Sequence, residues 1–131
     1  MSKFAVERIK EVSINFNVYK LIINKKSHFD NFFNEFKDDK NYNIELGQIQ
    51  SILSFIGSGE EDKIPYNKYK PLKRNKKDPY IDYEIKTSNL RVYLFKDAAL
   101  GKIIVLGGKK KSQTKDIEKF RKIKADYFNS K

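Results

Sequence analysis

Several residue types are absent or rare in this chain of 131 residues, and each absence excludes a class of function. Cysteine is absent, which rules out disulfide bonds, thiolate metal sites and a cysteine nucleophile. Tryptophan is also absent and methionine occurs once, so ten phenylalanines and eight tyrosines supply most of the large core side chains. The sequence has no signal-peptide pattern and no apolar run near the roughly 18 residues of a membrane span, so we expect a soluble, cytoplasmic protein.

Histidine is nearly absent as well. The only one, His28, falls in the first turn of a predicted helix, where we expect it to be exposed rather than catalytic. No carboxylates or histidines are spaced like the ligands of a metal site. The GSG stretch at 57–59 follows a helix rather than a strand, so it predicts a helix end and not a phosphate-binding loop. We therefore expect neither a nuclease that uses metal ions or paired histidines nor a bound cofactor.

Charge is the strongest global feature of the sequence. The chain has 28 Lys and Arg against 17 Asp and Glu, a formal net charge of +11. Residues 1–63 hold nine basic and ten acidic side chains, whereas residues 64–131 hold nineteen and seven. Such a one-sided excess attracts polyanions, of which nucleic acid is the most common. The alternative is a lysine-rich surface that serves solubility alone.

The N-terminal half predicts one strand and two helices. Alternating apolar residues predict a strand over 13–24, with Ile14, Phe16 and Val18 on one face. Ser27 is a natural N-cap for the first helix, and the glycines at 57–59 end the second. Apolar residues at helical spacing mark the buried faces of the two helices: Phe29, Phe32, Phe33 and Phe36 in the first, and Leu46, Ile49, Leu53 and Ile56 in the second.

The C-terminal half predicts three strands and a final helix. The strands cover 80–87, 90–97 and 101–110, and the short links between them indicate an antiparallel meander. The helix covers 116–128, with Thr114 as its cap.

The order of these elements predicts an α+β fold, with an N-terminal strand, a helical hairpin, a three-stranded antiparallel meander and a C-terminal helix. The length fits a single domain over residues 1–131. Within it, residues 1–12 form an N-terminal extension and residues 60–79 form a basic loop.

The basic loop mixes lysines with tyrosines. It contains all three prolines and shows neither helical nor strand periodicity, so we expect it to be exposed. Tyr66 and Tyr69 lie among its basic residues, and tyrosine rings stack on unpaired bases while lysines contact phosphate. A solvated charged loop is the alternative. The candidate RNA-binding residues here are Lys70, Lys73, Arg74, Lys76 and Lys77.

Arg91 interrupts an apolar strand and shares one face of it with Tyr93. Arginine is rarely buried without an anionic partner. One interpretation is a salt bridge to Glu84 or Asp82 across the hairpin. The other is a phosphate clamp, since a guanidinium group binds phosphate oxygens in a fork.

Three lysines, Lys109, Lys110 and Lys111, end the next strand after two glycines that let a backbone or a ligand approach closely. In a meander this end can come near the basic loop and Arg91, which would gather positive charge in one concave site. A solvated strand end is the alternative. Such a site can cleave RNA without a metal, because the 2′-OH is an internal nucleophile. A lysine whose pKa is lowered by neighbouring cations can act as the base, and arginine can stabilise the charged phosphorane.

Four short motifs in the C-terminal half stand in a recognisable order: KPLK at 70–73, YEI at 83–85, RVY at 91–93 and KK at 109–110. Together, over about residues 69–128, they resemble the RelE/HigB toxins of bacterial toxin–antitoxin pairs, within the RelE/ParE superfamily. The order of the predicted elements is also similar to that family's fold. One departure is the Tyr-Glu-Ile-Lys stretch at 83–86, where the family's strand usually reads Tyr-Glu-Leu-Arg.

The resemblance implies a metal-independent endoribonuclease that cuts mRNA on the ribosome and is neutralised by a cognate antitoxin protein. Carried over to this sequence, Arg91 would hold the scissile phosphate beside Tyr93. Lys109 and Lys110 would stabilise charge or act in acid–base steps, and Lys111 would join the RNA-binding residues. Two alternatives stay open: a ParE-like toxin that acts on a protein target such as a topoisomerase, and a non-catalytic nucleic-acid-binding module.

Overall fold

The computed structural model describes residues 3–73, 78 and 80–130. Within these residues the chain forms six strands and three helices, and two 3₁₀ turns cover Glu61–Lys63 and Lys110–Ser112. The elements in chain order are β1 (Phe4–Arg8), β2 (Val18–Ile23), α1 (His28–Phe36), α2 (Asn43–Ser58), β3 (Tyr69–Pro71), β4 (Asp82–Lys86), β5 (Leu90–Asp97), β6 (Gly101–Lys109) and α3 (Gln113–Asn129).

The strands form one mixed sheet in the order β1-β2-β6-β5-β4-β3. Neighbouring strands are antiparallel except β2 and β6, which run parallel. The predicted α+β class is confirmed, and the sheet has two strands more than predicted. Both are short strands at the edges: β1 lies in the predicted N-terminal extension, and β3 lies in the predicted basic loop.

Helices cover both faces of the sheet. α1 and α2 pack on one face, where Leu90 and Leu94 of β5 belong to their core. α3 packs on the other face, where Phe120 contacts Tyr93 and Phe95. Successive strand residues point to opposite faces, so β5 divides between the two cores as its alternation predicts. The stretch from Val92 to Phe95 is apolar on both sides because both faces of the sheet are covered there.

The helical hairpin agrees with its prediction. The Ser27 hydroxyl accepts a hydrogen bond from the Asp30 amide at 3.1 Å and so caps α1. α2 ends at Gly59, whose φ of 81° is left-handed and suits glycine. The predicted apolar faces are buried, apart from Phe33, which is half-buried. None of the helices among the described residues is long and apolar enough to cross a membrane.

α3 begins earlier than the sequence predicts. Its first residue is Gln113, directly behind Ser112, and the expected cap Thr114 lies exposed inside the helix. The 3₁₀ turn that holds Lys110 and Lys111 runs straight into the helix. The last lysines of the triplet therefore lie at the start of α3 rather than in a separate loop.

The first half of the predicted strand over 13–24 is not a strand. Ile14 and Phe16 are 68% and 62% exposed, and pairing in β2 begins only at Val18. The backbone amides of Asn15 and Phe16 both donate to the Gly57 carbonyl at 2.8 Å, at the end of α2. These bonds tie the segment to a helix end instead of a neighbouring strand, so its alternation was not a strand signal.

The predicted basic loop is partly ordered against the sheet. Tyr69 of β3 is buried and stacks on Tyr83 of β4, with ring centroids 5.3 Å apart. Lys102 of β6 lies over both rings and forms an ion pair with Glu61. Tyr69 also donates its hydroxyl to Glu61 at 2.9 Å. The expectation of an exposed loop is therefore wrong for this stretch, because its tyrosine completes the core at the sheet edge.

Candidate nucleic-acid interface

The three lysines at the end of β6 line a cleft of about 390 Å³. Lys109 ends the strand, and Lys110 and Lys111 occupy the 3₁₀ turn that follows. The other walls come from distant parts of the chain: the residue before α2, the turn between β4 and β5, and the first residue of α3. We call this surface the lysine cleft, and its lining residues are Tyr42, Asn89, Lys109, Lys110, Lys111 and Gln113.

The two glycines before the lysines let both helix layers reach this end of β6. A side chain at Gly107 would collide with the ring of Phe32 in α1, and one at Gly108 would collide with the carboxylate of Asp116 in α3. The close approach expected at these glycines therefore occurs, and the groups that approach them are side chains of α1 and α3. It places the start of α3 directly beside the lysines.

The cleft lysines have no acidic partner within the described part of the chain. None of the ion pairs there involves Lys109, Lys110 or Lys111. Lys110 and Lys111 are exposed, while the Lys109 ammonium lies 5.3 Å from the ring centroid of Tyr42 and 5.8 Å from that of Phe36. Aromatic faces attract cations only weakly, so the cleft retains its positive charge.

Two helices begin at the cleft. Tyr42 is the N-cap residue of α2, Ser112 is that of α3, and neither side chain caps its helix with a hydrogen bond. The first amides of a helix and its dipole add positive potential at that end. One carboxylate stands in each first turn, Glu45 in α2 and Asp116 in α3, and offsets part of this potential.

Glu45 fixes the wall that carries Asn89. Its carboxylate accepts hydrogen bonds from the backbone N–H of Asn89 at 2.7 Å, from the side-chain Nδ2 of Asn89 at 2.9 Å and from the Thr87 hydroxyl. Burial opposes the ionisation of Glu45, but these hydrogen bonds outweigh it and lower its pKa. The buried Glu45 therefore stays ionised and ties the β4–β5 turn to α2.

Arg91 lies behind the cleft and is 2% exposed. Its Nη1 donates to the carbonyl oxygens of Thr87 at 2.6 Å and Leu90 at 2.8 Å. Its Nε lies 3.1 Å from Glu84 Oε1, an ion pair in which the N–H does not point at the oxygen. Of the partners considered from the sequence, Arg91 thus pairs with Glu84. Gln113 Nε2 donates to the same Glu84 oxygen at 2.9 Å and so connects this pair to the cleft.

Tyr93 lies in the core under α3. It has no exposed surface, its ring is 5.8 Å from that of Phe120, and its hydroxyl makes no hydrogen bond among the described residues. Burial raises the pKa of Tyr93 well above its usual range, so the phenol stays neutral. The structure therefore brings neither Tyr93 nor Arg91 to an accessible surface, because α3 covers this face of β5.

The described residues of the basic loop do not join the lysine cleft. Lys70 sits in β3, three strands away from β6 or roughly 14 Å across the sheet. Lys73 is exposed, and its carbonyl accepts a hydrogen bond from Arg121 at 2.8 Å. The remaining predicted contacts, Arg74, Lys76 and Lys77, lie outside the described residues.

Three lining residues were not predicted: Tyr42, Asn89 and Gln113. Each sits in a short link or at a helix start, where no periodicity singles it out. One signal was present in the sequence. The link at Asn89 joins two strands of the predicted meander, and it must lie at the same end of the sheet as the lysines that finish the third strand.

Among the residues that the structure describes, no group of three or more His, Asp or Glu side chains is placed to hold a metal ion. Comparisons with protein-family models, with curated proteins and with solved structures found no match for this chain.

Proposed function

We propose that this protein is a RelE/HigB-like toxin, a metal-independent endoribonuclease that cleaves mRNA on the ribosome. The observation that carries the proposal is the lysine cleft, in which Lys109, Lys110 and Lys111 meet the starts of two helices without an acidic partner among the described residues. A concave surface of this kind suits a phosphodiester backbone. Of the four sequence motifs, KK at 109–110 lines this cleft.

The arrangement of the elements supports a RelE-like topology as part of this proposal. The chain runs from β2 through the helical hairpin to β4, β5 and β6, which pair consecutively and antiparallel, and then to α3. This is the order that the resemblance implies. A cytoplasmic location and a cognate antitoxin belong to the same proposal, since mRNA and ribosomes are cytoplasmic and an active toxin must be held in check.

In this mechanism the lysines bind the RNA backbone and Arg91 acts after binding. Arg91 is now paired with Glu84, so the scissile phosphate must replace that carboxylate as its partner. Cleavage begins when a cleft lysine removes the proton of the 2′-OH and the oxygen attacks the adjacent phosphorus. The bond from phosphorus to the 5′ oxygen then breaks, that oxygen takes a proton from a lysine, and a 2′,3′-cyclic phosphate remains. Cations in the cleft stabilise the charged phosphorane that forms.

The burial of Arg91 favours a second candidate. A guanidinium that stays with Glu84 cannot contact a phosphate, and the remaining surface would then bind without cutting. A ParE-like toxin that acts on a protein target such as a topoisomerase fits this arrangement.

Induction of the protein in a bacterial host, with mapping of mRNA 5′ ends, separates the candidates. We expect growth arrest and cuts in phase with codons from the wild type. We expect neither from a variant in which Lys109, Lys110 and Lys111 are all alanine. The matched control replaces three exposed lysines of α3, Lys115, Lys119 and Lys122, and should behave like the wild type.

Three other outcomes have clear meanings. Arrest without codon-phased cuts would contradict the nuclease and support the ParE-like candidate. Arrest by the cleft variant would show that the lysine cleft is not the site. No arrest by the wild type would leave a non-catalytic nucleic-acid-binding module.

A further inference from the structure

Two amide side chains of the lysine cleft are oriented by buried carboxylates. Asn89 Nδ2 donates to Glu45 Oε2 at 2.9 Å, and Gln113 Nε2 donates to Glu84 Oε1 at 2.9 Å. Glu45 and Glu84 are 7% and 3% exposed. An ionised carboxylate only accepts hydrogen bonds, so each amide must turn its nitrogen inward.

This orientation determines what the cleft offers to a ligand. With their nitrogens directed inward, Asn89 and Gln113 keep their carbonyl oxygens available, and neither oxygen takes part in a hydrogen bond between described residues. Lysines supply donors for phosphate, while these two oxygens are acceptors. They suit a group that donates, such as the exocyclic amine of cytosine, adenine or guanine.

Tyr42 supplies an aromatic surface in the same cleft. Its ring is held edge-to-face by Phe36, with centroids 4.9 Å apart, and it faces the Lys109 ammonium. Proteins that bind single strands combine lysines for the backbone with aromatic rings on which unpaired bases stack. A paired base has no free face and its amine is already bonded.

We propose that the lysine cleft holds one unpaired nucleotide whose base stacks on Tyr42 and whose amine donates to Asn89 and Gln113. Lys109 then moves from the ring to the phosphate. This inference rests on the proposed function, because it requires that the cleft bind RNA. It adds a base preference: cytosine is bound in preference to uracil, which carries an oxygen where cytosine carries the amine.

Fluorescence anisotropy with labelled oligocytidylate and oligouridylate of equal length tests the preference. The two pyrimidines have nearly the same stacking surface and differ at the exocyclic group and at N3, so a difference reports on the base edge that carries the amine. We expect the wild-type protein to bind oligocytidylate at least about fivefold more tightly, the size of one of the two proposed neutral hydrogen bonds, and to bind a duplex of that length more weakly than either strand.

Four variants assign the effect to residues. Tyr42→Leu should weaken the binding of both strands about tenfold, whereas Tyr42→Phe should keep the wild-type affinity. Glu45→Gln should lower the cytosine preference with little loss of affinity, because a glutamine lets the Asn89 amide reverse. Gln113→Leu should lower the same preference without disturbing Glu45.

The outcomes distinguish the inferred nucleotide site from the proposed RNA-binding function on which it rests. Strong binding that falls with salt but does not discriminate between the two pyrimidines would overturn the base preference and leave the RNA site standing. An unchanged affinity in Tyr42→Leu would overturn the stacking. If neither strand binds in a salt-dependent way, both the inference and the proposed RNA site fail.

Discussion

The basic side chains of the C-terminal half occupy two different environments. Inside the protein, Arg91 pairs with Glu84, and the Lys124 ammonium lies 2.6 Å from carboxylate oxygens of both Asp78 and Asp82. At the end of β6, Lys110 and Lys111 are exposed and Lys109 is half-buried, and none of these cleft lysines has such a partner in the described part of the chain. An ion is buried only with compensation, so the chain supplies carboxylates to the first group. The second group remains available to an anion from outside.

Of the variants that test this comparison, Lys124→Met should have the largest effect on stability. Lys124 is 2% exposed and also donates to the Tyr80 carbonyl at 2.9 Å, so methionine removes the close cation of the buried Asp82 and leaves it only the longer ion pair with the partly exposed Arg121, at 3.5 Å. We expect the free energy of unfolding to fall by about 3–5 kcal/mol, measured by urea denaturation at neutral pH. Lys122→Met, at an exposed position of the same helix, is the matched control and should change stability little.

A second test asks whether Arg91 only stabilises the fold or also takes part in RNA cleavage. Arg91→Met should lower the free energy of unfolding by about 2–4 kcal/mol, because Glu84 is left buried and charged. Adding Glu84→Gln removes that charge and should restore much of the loss. Urea denaturation gives both values, and RNA affinity is measured on the stable double variant.

The double variant separates binding from cleavage. Its RNA affinity should stay near that of the wild type, since the three lysines and Tyr42 are unchanged, while codon-phased cleavage should stop if Arg91 clamps the phosphate. Unchanged cleavage would remove Arg91 from the mechanism. A lost affinity would show that Arg91 contributes to the binding surface itself.

Much of the fold could be predicted from the sequence, because its strongest signals are local. The phenylalanine stripe of α1 and the alternation of β5 each reflect a face that one helix or strand must bury. The failures have a physical reason as well. β1 and β3 are short edge strands with one pairing partner each, and the alternation at Ile14 and Phe16 belongs to a turn held by the Gly57 carbonyl.

The candidate site was less predictable, because it depends on which elements meet. The lysine triplet is visible as a charge run, whereas the walls at Tyr42, Asn89 and Gln113 come together only through the sheet order. The sequence also could not decide between the two interpretations of Arg91. The side of β5 that carries it is covered by α3, and this cover depends on Gly108, which lets the start of the helix approach.

Lys102 shares features of both environments, and its replacement should have the smallest effect on stability. It is a largely buried cation whose ion-pair partner, Glu61, is 40% exposed and therefore screened by solvent. Burial lowers the pKa of Lys102 to about 8, from an ordinary value of 10.5. Between these two values the folded state binds fewer protons than the unfolded state, so stability contributed by this site rises with pH.

Lys102→Met measures this contribution. From about pH 7.5 to about pH 9.5, the free energy of unfolding of the wild type should rise by about 1–2 kcal/mol relative to the variant. The comparison with the variant matters because Tyr69 also has a raised pKa, and its ionisation in the unfolded chain lowers stability at higher pH in both proteins. Lys96→Met, at the exposed neighbour of Lys102 in β5, should show no such trend. A flat difference for Lys102→Met would mean that Glu61 and the two tyrosine rings compensate the buried charge fully, as Glu84 does for Arg91.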